Sequence, residues 1–267
     1  MDITDVTAAN RAAWDASAPL HCQGADWEAL LHGFSRPGFS VLDQTLTETL
    51  EALAPQGKRA LQIGCNNGRE LLSLRALGAI PTLGIDQSAG FLDQAGQLAK
   101  RAGENDCRFL CADIYALPAG IPASHELGLI TIGVLNWMPD LRRFFKVVAS
   151  LLAPGAALVI YETHPFLELF EPSAENPFLP QYSYFRREPL VDTAAITYDG
   201  SDGGEVAASY WFIHTLGEIV TACVRAGLQI ERLTEHPHSN REVEYDQYRN
   251  REAQLPLCYT LVARNQG

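Results

Sequence analysis

Basic residues are scarce in this chain: 20 Lys and Arg stand against 32 Asp and Glu, a formal charge of −12 over 267 residues. A surface of that sign repels phosphate backbones and anionic headgroups, so neither nucleic acid nor a membrane is expected as a partner. The longest basic runs are pairs, Lys58-Arg59, Lys100-Arg101, Arg142-Arg143 and Arg186-Arg187. Cysteine is sparse as well. The six residues, Cys22, Cys65, Cys107, Cys111, Cys223 and Cys258, form no C-x-x-C pair, which argues against a zinc site or a disulfide framework; no metal is expected. Cys107 and Cys111 sit in an apolar run and read as buried thiols. Met1 to Asn10 is polar and lacks the apolar stretch of a signal peptide. The longest uncharged apolar run, Leu127 to Leu135, is too short to span a bilayer. A cytoplasmic location is the default expectation.

What is plentiful is core material. Apolar residues make up 47% of the chain and aromatics 9%, while charged residues are only 19%, so long disordered tracts are not expected. Residues 1–57 read as a helical segment. Val6 to Trp14 is rich in helix formers, Asp26 can cap a short helix through Leu31, and Ser40 precedes Leu42, Leu46, Leu50 and Leu53 on one face. From residue 58 short apolar runs alternate with amphipathic helices. Strands are predicted at Arg59–Gly64, Ile80–Asp86, Cys107–Asp113, Leu127–Gly133 and Ala157–Thr163. The helices between them run from about Gly68 to Leu77, from Ser88 to Gly103, and from Asp140 to a stop at Pro154-Gly155. Residues 164–213 break this rhythm with Pro, aromatics and the turn Asp199-Gly200, and read as an insertion over the sheet. Thr215 and Glu218 then form a capping box before a helix that stops at Gly227. Leu228–Leu233 and Pro256–Ala263 are two final strands, too close in sequence for a crossover helix and so expected to be antiparallel. Near-continuous apolar strands in β-α order indicate a doubly wound, mostly parallel seven-stranded α/β sheet.

The most informative stretch is Leu61-Gln62-Ile63-Gly64-Cys65-Asn66-Asn67-Gly68, where a strand enters a glycine-bearing turn and a helix follows at once. Ligands of such sheets bind outside the carboxyl ends of the strands, at the switch point beside the first strand. Glycine lets backbone approach a ligand, and Asn66 and Asn67 tolerate left-handed conformations. Asp86 ends the second strand, where a carboxylate can accept hydrogen bonds from two ribose hydroxyls. Together these residues suggest a ligand containing adenosine. Gly64 and Gly68 do not fit the G-x-G-x-x-G spacing of a nicotinamide dinucleotide turn.

The arrangement resembles the class I S-adenosylmethionine-dependent methyltransferases, whose first motif is an acid followed by x-G-x-G-x-G. Gln62 stands in place of the acid, Gly64 and Gly68 match the outer glycines, and Asn66 replaces the middle one. Gly84-Ile85-Asp86 resembles the family's ribose-binding acid, and Cys111-Ala112-Asp113-Ile114 its adenine segment, with Asp113 on the adenine amino group. Leu129 to Trp137 resembles the fourth strand and its lip, and Leu151-Leu152-Ala153-Pro154-Gly155 the family's step from helix to strand. The resemblance covers about residues 40–163 and 214–263, and it implies a Rossmann-like methyltransferase fold with an N-terminal helical lid. It implies S-adenosylmethionine as cofactor, held by Gln62, Gly64, Cys65, Asn66, Asn67, Gly68, Asp86, Gln87, Asp113, Ile114, Thr131, Ile132 and Trp137.

On the acceptor side the expectations are Asn136 as a hydrogen-bonding group at the lip, Tyr161 at the end of the fifth strand, and His164 as a general base. Trp14 and His21 are candidates for the lid. The expected reaction is in-line methyl transfer to a small molecule. An alternative follows from a branch of the same fold resembling the azetidine-2-carboxylate synthases, in which the cofactor's own amine displaces methylthioadenosine. Gln62, Asn136 and the many tyrosines suit either reaction.

Overall fold

The computed structural model describes residues 2–198, 202–240 and 242–267; the expected Asp199-Gly200 turn lies outside the described residues. Five parallel strands form one part of the sheet: β1 (Arg59–Ile63), β2 (Ile80–Asp86), β3 (Arg108–Cys111), β4 (His125–Thr131) and β5 (Leu152–Thr163). A two-stranded antiparallel sheet, β6 (Leu190–Ala194) and β7 (Glu205–Trp211), lies within residues 164–213. β8 (Leu228–His236) and β9 (Cys258–Asn265) complete the main sheet in the order β3-β2-β1-β4-β5-β9-β8, with β9 antiparallel to both neighbours. This is the doubly wound, mostly parallel seven-stranded sheet that the alternation of apolar runs predicts.

The central strands β1, β4, β5 and β9 are largely apolar because both their faces are covered, whereas the edge strand β8 is mostly exposed. On one face Leu61, Ile63, Ile130, Leu158 and Ile160 pack with Phe144, Phe145 and Val148 of α6 (Leu141–Leu151) and Ile219 and Cys223 of α7 (Leu216–Arg225). On the other, Ala60, Leu129, Val159 and Tyr161 meet Leu46 and Leu50 of α3 (Gln44–Glu51) and Leu98 of α5 (Ala89–Ala102). Alternate residues of β5 therefore enter opposite cores. Each large side chain so buried contributes about 1.5–3 kcal/mol.

Helix starts follow their caps. Ser88 accepts from the Phe91 amide at 3.3 Å, Asp140 from Arg143 at 3.0 Å, and Thr215 with Glu218 closes the capping box of α7. Several expectations need correction, and Cys111, expected as a buried thiol, is exposed. α3 is capped by Asp43, which accepts from the Leu46 amide at 2.9 Å, so Ser40 and Leu42 precede the helix. The helix after β1 is α4 (Arg69–Ser73) and gives way to a 3-10 turn at Leu74–Leu77. Pro154-Gly155 does not end α6, which stops at Leu151; these residues lie inside β5. His125 pairs with Leu152 and Leu127 with Ala157, so the register slips there, and a bulge is where a strand accepts proline.

The N-terminal segment forms α1 (Ile3–Ser17) and α2 (Gly24–Phe34), the latter starting ahead of Asp26. α1 is tied to the sheet's carboxyl edge at both ends. Thr7 donates to Asp113 Oδ2 at 2.6 Å, and Asp15 accepts from Ser88 Oγ at 2.7 Å. Asn10 bonds the Tyr210 backbone in both directions, so α1 also holds β7. No helix among the described residues is long and apolar enough to cross a membrane.

Candidate active site

The turn after β1 is built from backbone that only small or turn-forming residues accept. Gly64 has φ +62°, and a Cβ there would stand 2.6 Å from Val134 Cγ2. Asn66 is left-handed at φ +50°, and its amide donates to Asp86 Oδ2 at 2.7 Å. The Ser88 amide donates to the other oxygen of Asp86 at 3.0 Å. Burial raises the Asp86 pKa from its ordinary value, and these backbone donors oppose the shift.

Beside this turn lies a cavity of about 280 Å³ at the carboxyl ends of β1, β2 and β4. Of the sequence-expected cofactor residues, Gln62, Gly64, Asn66, Asp86 and Gln87 line it from the β1–β2 side. Asp113, Ile114, Thr131, Ile132 and Trp137 complete that set. Cys65, Asn67 and Gly68 lie behind the wall. The Cys65 thiol is fully buried against Gly84, and a Cβ on Gly68 would meet the Phe109 ring at 2.8 Å. The Gln62 amide is spent inside the protein: Oε1 accepts from the Leu71 amide at 2.9 Å and Nε2 donates to Thr131 Oγ1 at 2.9 Å. It thereby joins β1 to α4 and β4.

None of the three expected catalytic residues lines the cavity. The Asn136 side chain donates to the Phe212 carbonyl at 2.9 Å, and the Asn136 backbone carbonyl accepts from the Phe212 amide at 2.7 Å. Tyr161 is completely buried on the α3 side, with its hydroxyl donating to Asp43 Oδ2 at 2.7 Å. The pleat of β5 decides this: Tyr161 and Glu162 point to opposite faces. His164 pairs its Nε2 with Glu235 Oε1 at 2.8 Å, and its Nδ1 accepts from the Phe166 amide at 3.1 Å. Burial lowers the His164 pKa, with Glu235 opposing.

Several residues at the cavity carry no signal in the sequence motifs. Glu162, buried behind the wall, accepts from the amides of Gly133 and Leu135, and burial pushes its pKa up to about 8. It holds the segment after β4, where Ile132 sits at φ +38°, a strained value for a β-branched side chain. Glu168 faces the cavity, only 6% exposed, and accepts from the Trp211 indole N–H at 2.6 Å. Its pKa is pushed up to about 7, by burial first. Trp14, Trp137 and Trp211 form an edge-to-face series with centroids 5.3 and 4.9 Å apart. Arg69, paired with Glu70 at 3.0 Å, lies over the Tyr198 ring. Glu242, Glu244 and Tyr245 reach the cavity from the segment between β8 and β9. Of this half the sequence offers Trp137 at the lip, Trp14 as a lid candidate and the density of aromatics in residues 164–213.

Residues 61–160, which run from β1 almost to the end of β5, match a family described as a methyltransferase domain. The match coincides with the strands that build the cavity floor. The likeness is to that domain, over 100 of the 267 residues. The chain is 28% identical over 139 residues to 27-O-demethylrifamycin SV methyltransferase of Amycolatopsis mediterranei, covering 50% of each chain. It spans about half the length of the curated relatives it matches. An S-adenosylmethionine-dependent methyltransferase from Mesorhizobium loti superimposes with a TM-score of 0.54 at 20% identity, over 81% of this chain and 96% of that one. The [4+2]-cyclase SpnF superimposes equally well, at TM-score 0.54 and 17% identity, over 94% and 93% of the two chains. Likeness at that distance is likeness of fold, and the same fold thus also carries a protein described as a cyclase.

Proposed function

We propose that this protein transfers the methyl group of S-adenosylmethionine to a small molecule held in the same cavity. The observation that carries the reading is the Asp86 carboxylate, set in the cavity wall at the end of β2 beside a turn where Gly64 leaves no room for a side chain. These residues fit an adenosyl group. Asp86 would accept from the ribose hydroxyls and Asp113 from the adenine amino group, with Gly64 and Asn66 giving close backbone approach. Gln62 and Thr131 would wall the methionine arm, and α1 would cover the nucleoside through Thr7 and Trp14.

When bound, S-adenosylmethionine supplies an electrophilic methyl group on a sulfonium. The chain's own contribution is to orient the acceptor, hold it at attacking distance and exclude water, each of which lowers the barrier. Trp137 and Trp211 supply apolar walls for the acceptor. The curated relative named for 27-O-demethylrifamycin SV is in keeping with that class. Incubation with S-adenosylmethionine, with and without a cell metabolite extract, followed by mass spectrometry tests the reading. Release of S-adenosylhomocysteine that requires the extract is the expected result. Methylthioadenosine formed without any extract would replace methyl transfer by intramolecular displacement.

A further inference from the structure

The two halves of the cavity differ in chemistry. Asp86 and Asp113 follow β2 and β3, on one side of β1, and are spoken for by the nucleoside. Trp137 and Glu168 follow β4 and β5, on the other side of β1, with Trp211 from β7 beside them. In this second half a buried carboxylate stands in an aromatic enclosure. Its partner, the Trp211 indole, neutralises no charge. Besides Glu168 the lining carries the carboxylates of Asp86, Asp113 and Glu244, while the guanidinium of Arg69 is paired with Glu70.

We propose that the acceptor is a cationic amine, and that Glu168 binds its ammonium group and takes its proton before methyl transfer. The proposal rests on the methyl-transfer reading above and names its acceptor. An acidic or phosphorylated acceptor would bring a second negative charge against a carboxylate already shielded from water. A neutral one would leave the buried group to be neutralised by a proton and would gain nothing from its charge. An ammonium supplies both the missing charge and hydrogen-bond donors, and indole walls favour a cation over an anion.

The step balances. The ammonium gives one proton to the Glu168 carboxylate and becomes a neutral amine. Its nitrogen lone pair forms the new bond to the methyl carbon as the carbon–sulfur bond breaks, and that electron pair stays on sulfur. The product leaves as an N-methyl ammonium, and Glu168 returns its proton to water. A carboxyl group whose pKa lies near 7 is suited to this exchange. The groups facing it are the Trp211 N–H, which holds the pKa down, and Glu242 and Glu244, which raise it; Tyr245 adjoins them.

The test measures binding, not turnover. S-adenosylhomocysteine is first titrated into the whole chain by calorimetry; if it does not bind, the methyl-transfer reading itself fails. Benzylamine, benzyl alcohol and benzoate are then titrated into the loaded protein. Benzylamine should bind at least tenfold more tightly than the alcohol, and benzoate should not bind. Glu168→Gln should leave S-adenosylhomocysteine binding unchanged and abolish the preference for the amine. In the wild type the amine's affinity should fall below pH 7 as Glu168 takes up a proton, which decides the matter even if the variant does not fold. Equal binding of amine and alcohol, binding of none of the three, an unchanged preference in Glu168→Gln, or an affinity flat between pH 5.5 and 8 would overturn the proposal.

Discussion

Replacing Glu162 with alanine removes the acceptor that holds the amides of Gly133 and Leu135 at the cavity wall, and the effect should depend on pH. The Glu162 pKa is raised in the folded protein from 4.5 to about 8, chiefly by burial. As pH rises above 4.5 the unfolded chain gives up this proton while the folded protein keeps it. The folded state therefore binds more protons, and stability falls with pH until about pH 8. Between pH 6.5 and 8 that loss amounts to about 1.5 kcal/mol for Glu162, and Glu168, with its pKa near 7, adds about 1 kcal/mol. His125, His164, His214 and His236 are all lowered below 6.5 by burial. Their contribution rises with pH and still gains up to about 0.4 kcal/mol each between pH 6.5 and 8, because at pH 6.5 the unfolded imidazoles are half protonated; it is the same in wild type and variant and cancels in their difference. Urea unfolding followed by tryptophan fluorescence at pH 6.5 and 8 therefore compares the change in stability of the two proteins. Over that interval wild type should lose about 1.5 kcal/mol more than Glu162→Ala. The variant should also be about 2–4 kcal/mol less stable at pH 6.5, because two buried donors lose their partner. A variant with the full wild-type decline would refute the assignment of that slope to Glu162.

Gly64→Ala should cost about 2–4 kcal/mol, because the new methyl group meets Val134 and the backbone is left-handed there. Adding Val134→Ala should restore part of that loss in urea unfolding, and a strictly additive double variant would contradict the contact. Thr7→Ala removes the bond to Asp113 and should loosen α1 by about 1 kcal/mol, read as an increase of roughly fivefold in cleavage within α1 under limited proteolysis.

The sheet was legible because its signals are local. Apolar runs, caps such as Ser88 and Asp140, and the Gly64–Gly68 turn each act within a few residues. Local signals failed where pairing overrode them: Pro154-Gly155 carries stop chemistry, but the edge offered by His125 and Leu127 drew both residues into β5. On the cofactor side, position along a strand was enough to bring Asp86 and Asp113 to the cavity. On the acceptor side it was not. Sequence places Tyr161, Glu162 and His164 at the end of β5 but does not say which face each takes, and the pleat turned Tyr161 toward Asp43. Glu168, Trp211 and Tyr245 meet only through the packing of segments far apart in the chain, and no spacing rule reports that.

The central claim is that the nucleoside lies across the ends of β1 and β2 with its ribose on Asp86. Calorimetric titration of S-adenosylhomocysteine into the wild type and into Asp86→Ala, with thermal unfolding to verify that the variant folds, tests it most directly. Saturable binding that weakens by about 2–3 kcal/mol in the variant, roughly 30- to 150-fold, is the predicted result, since hydrogen bonds to a charged acceptor are lost. Wild-type affinity in a folded Asp86→Ala protein, or no heat from the wild type, would contradict it.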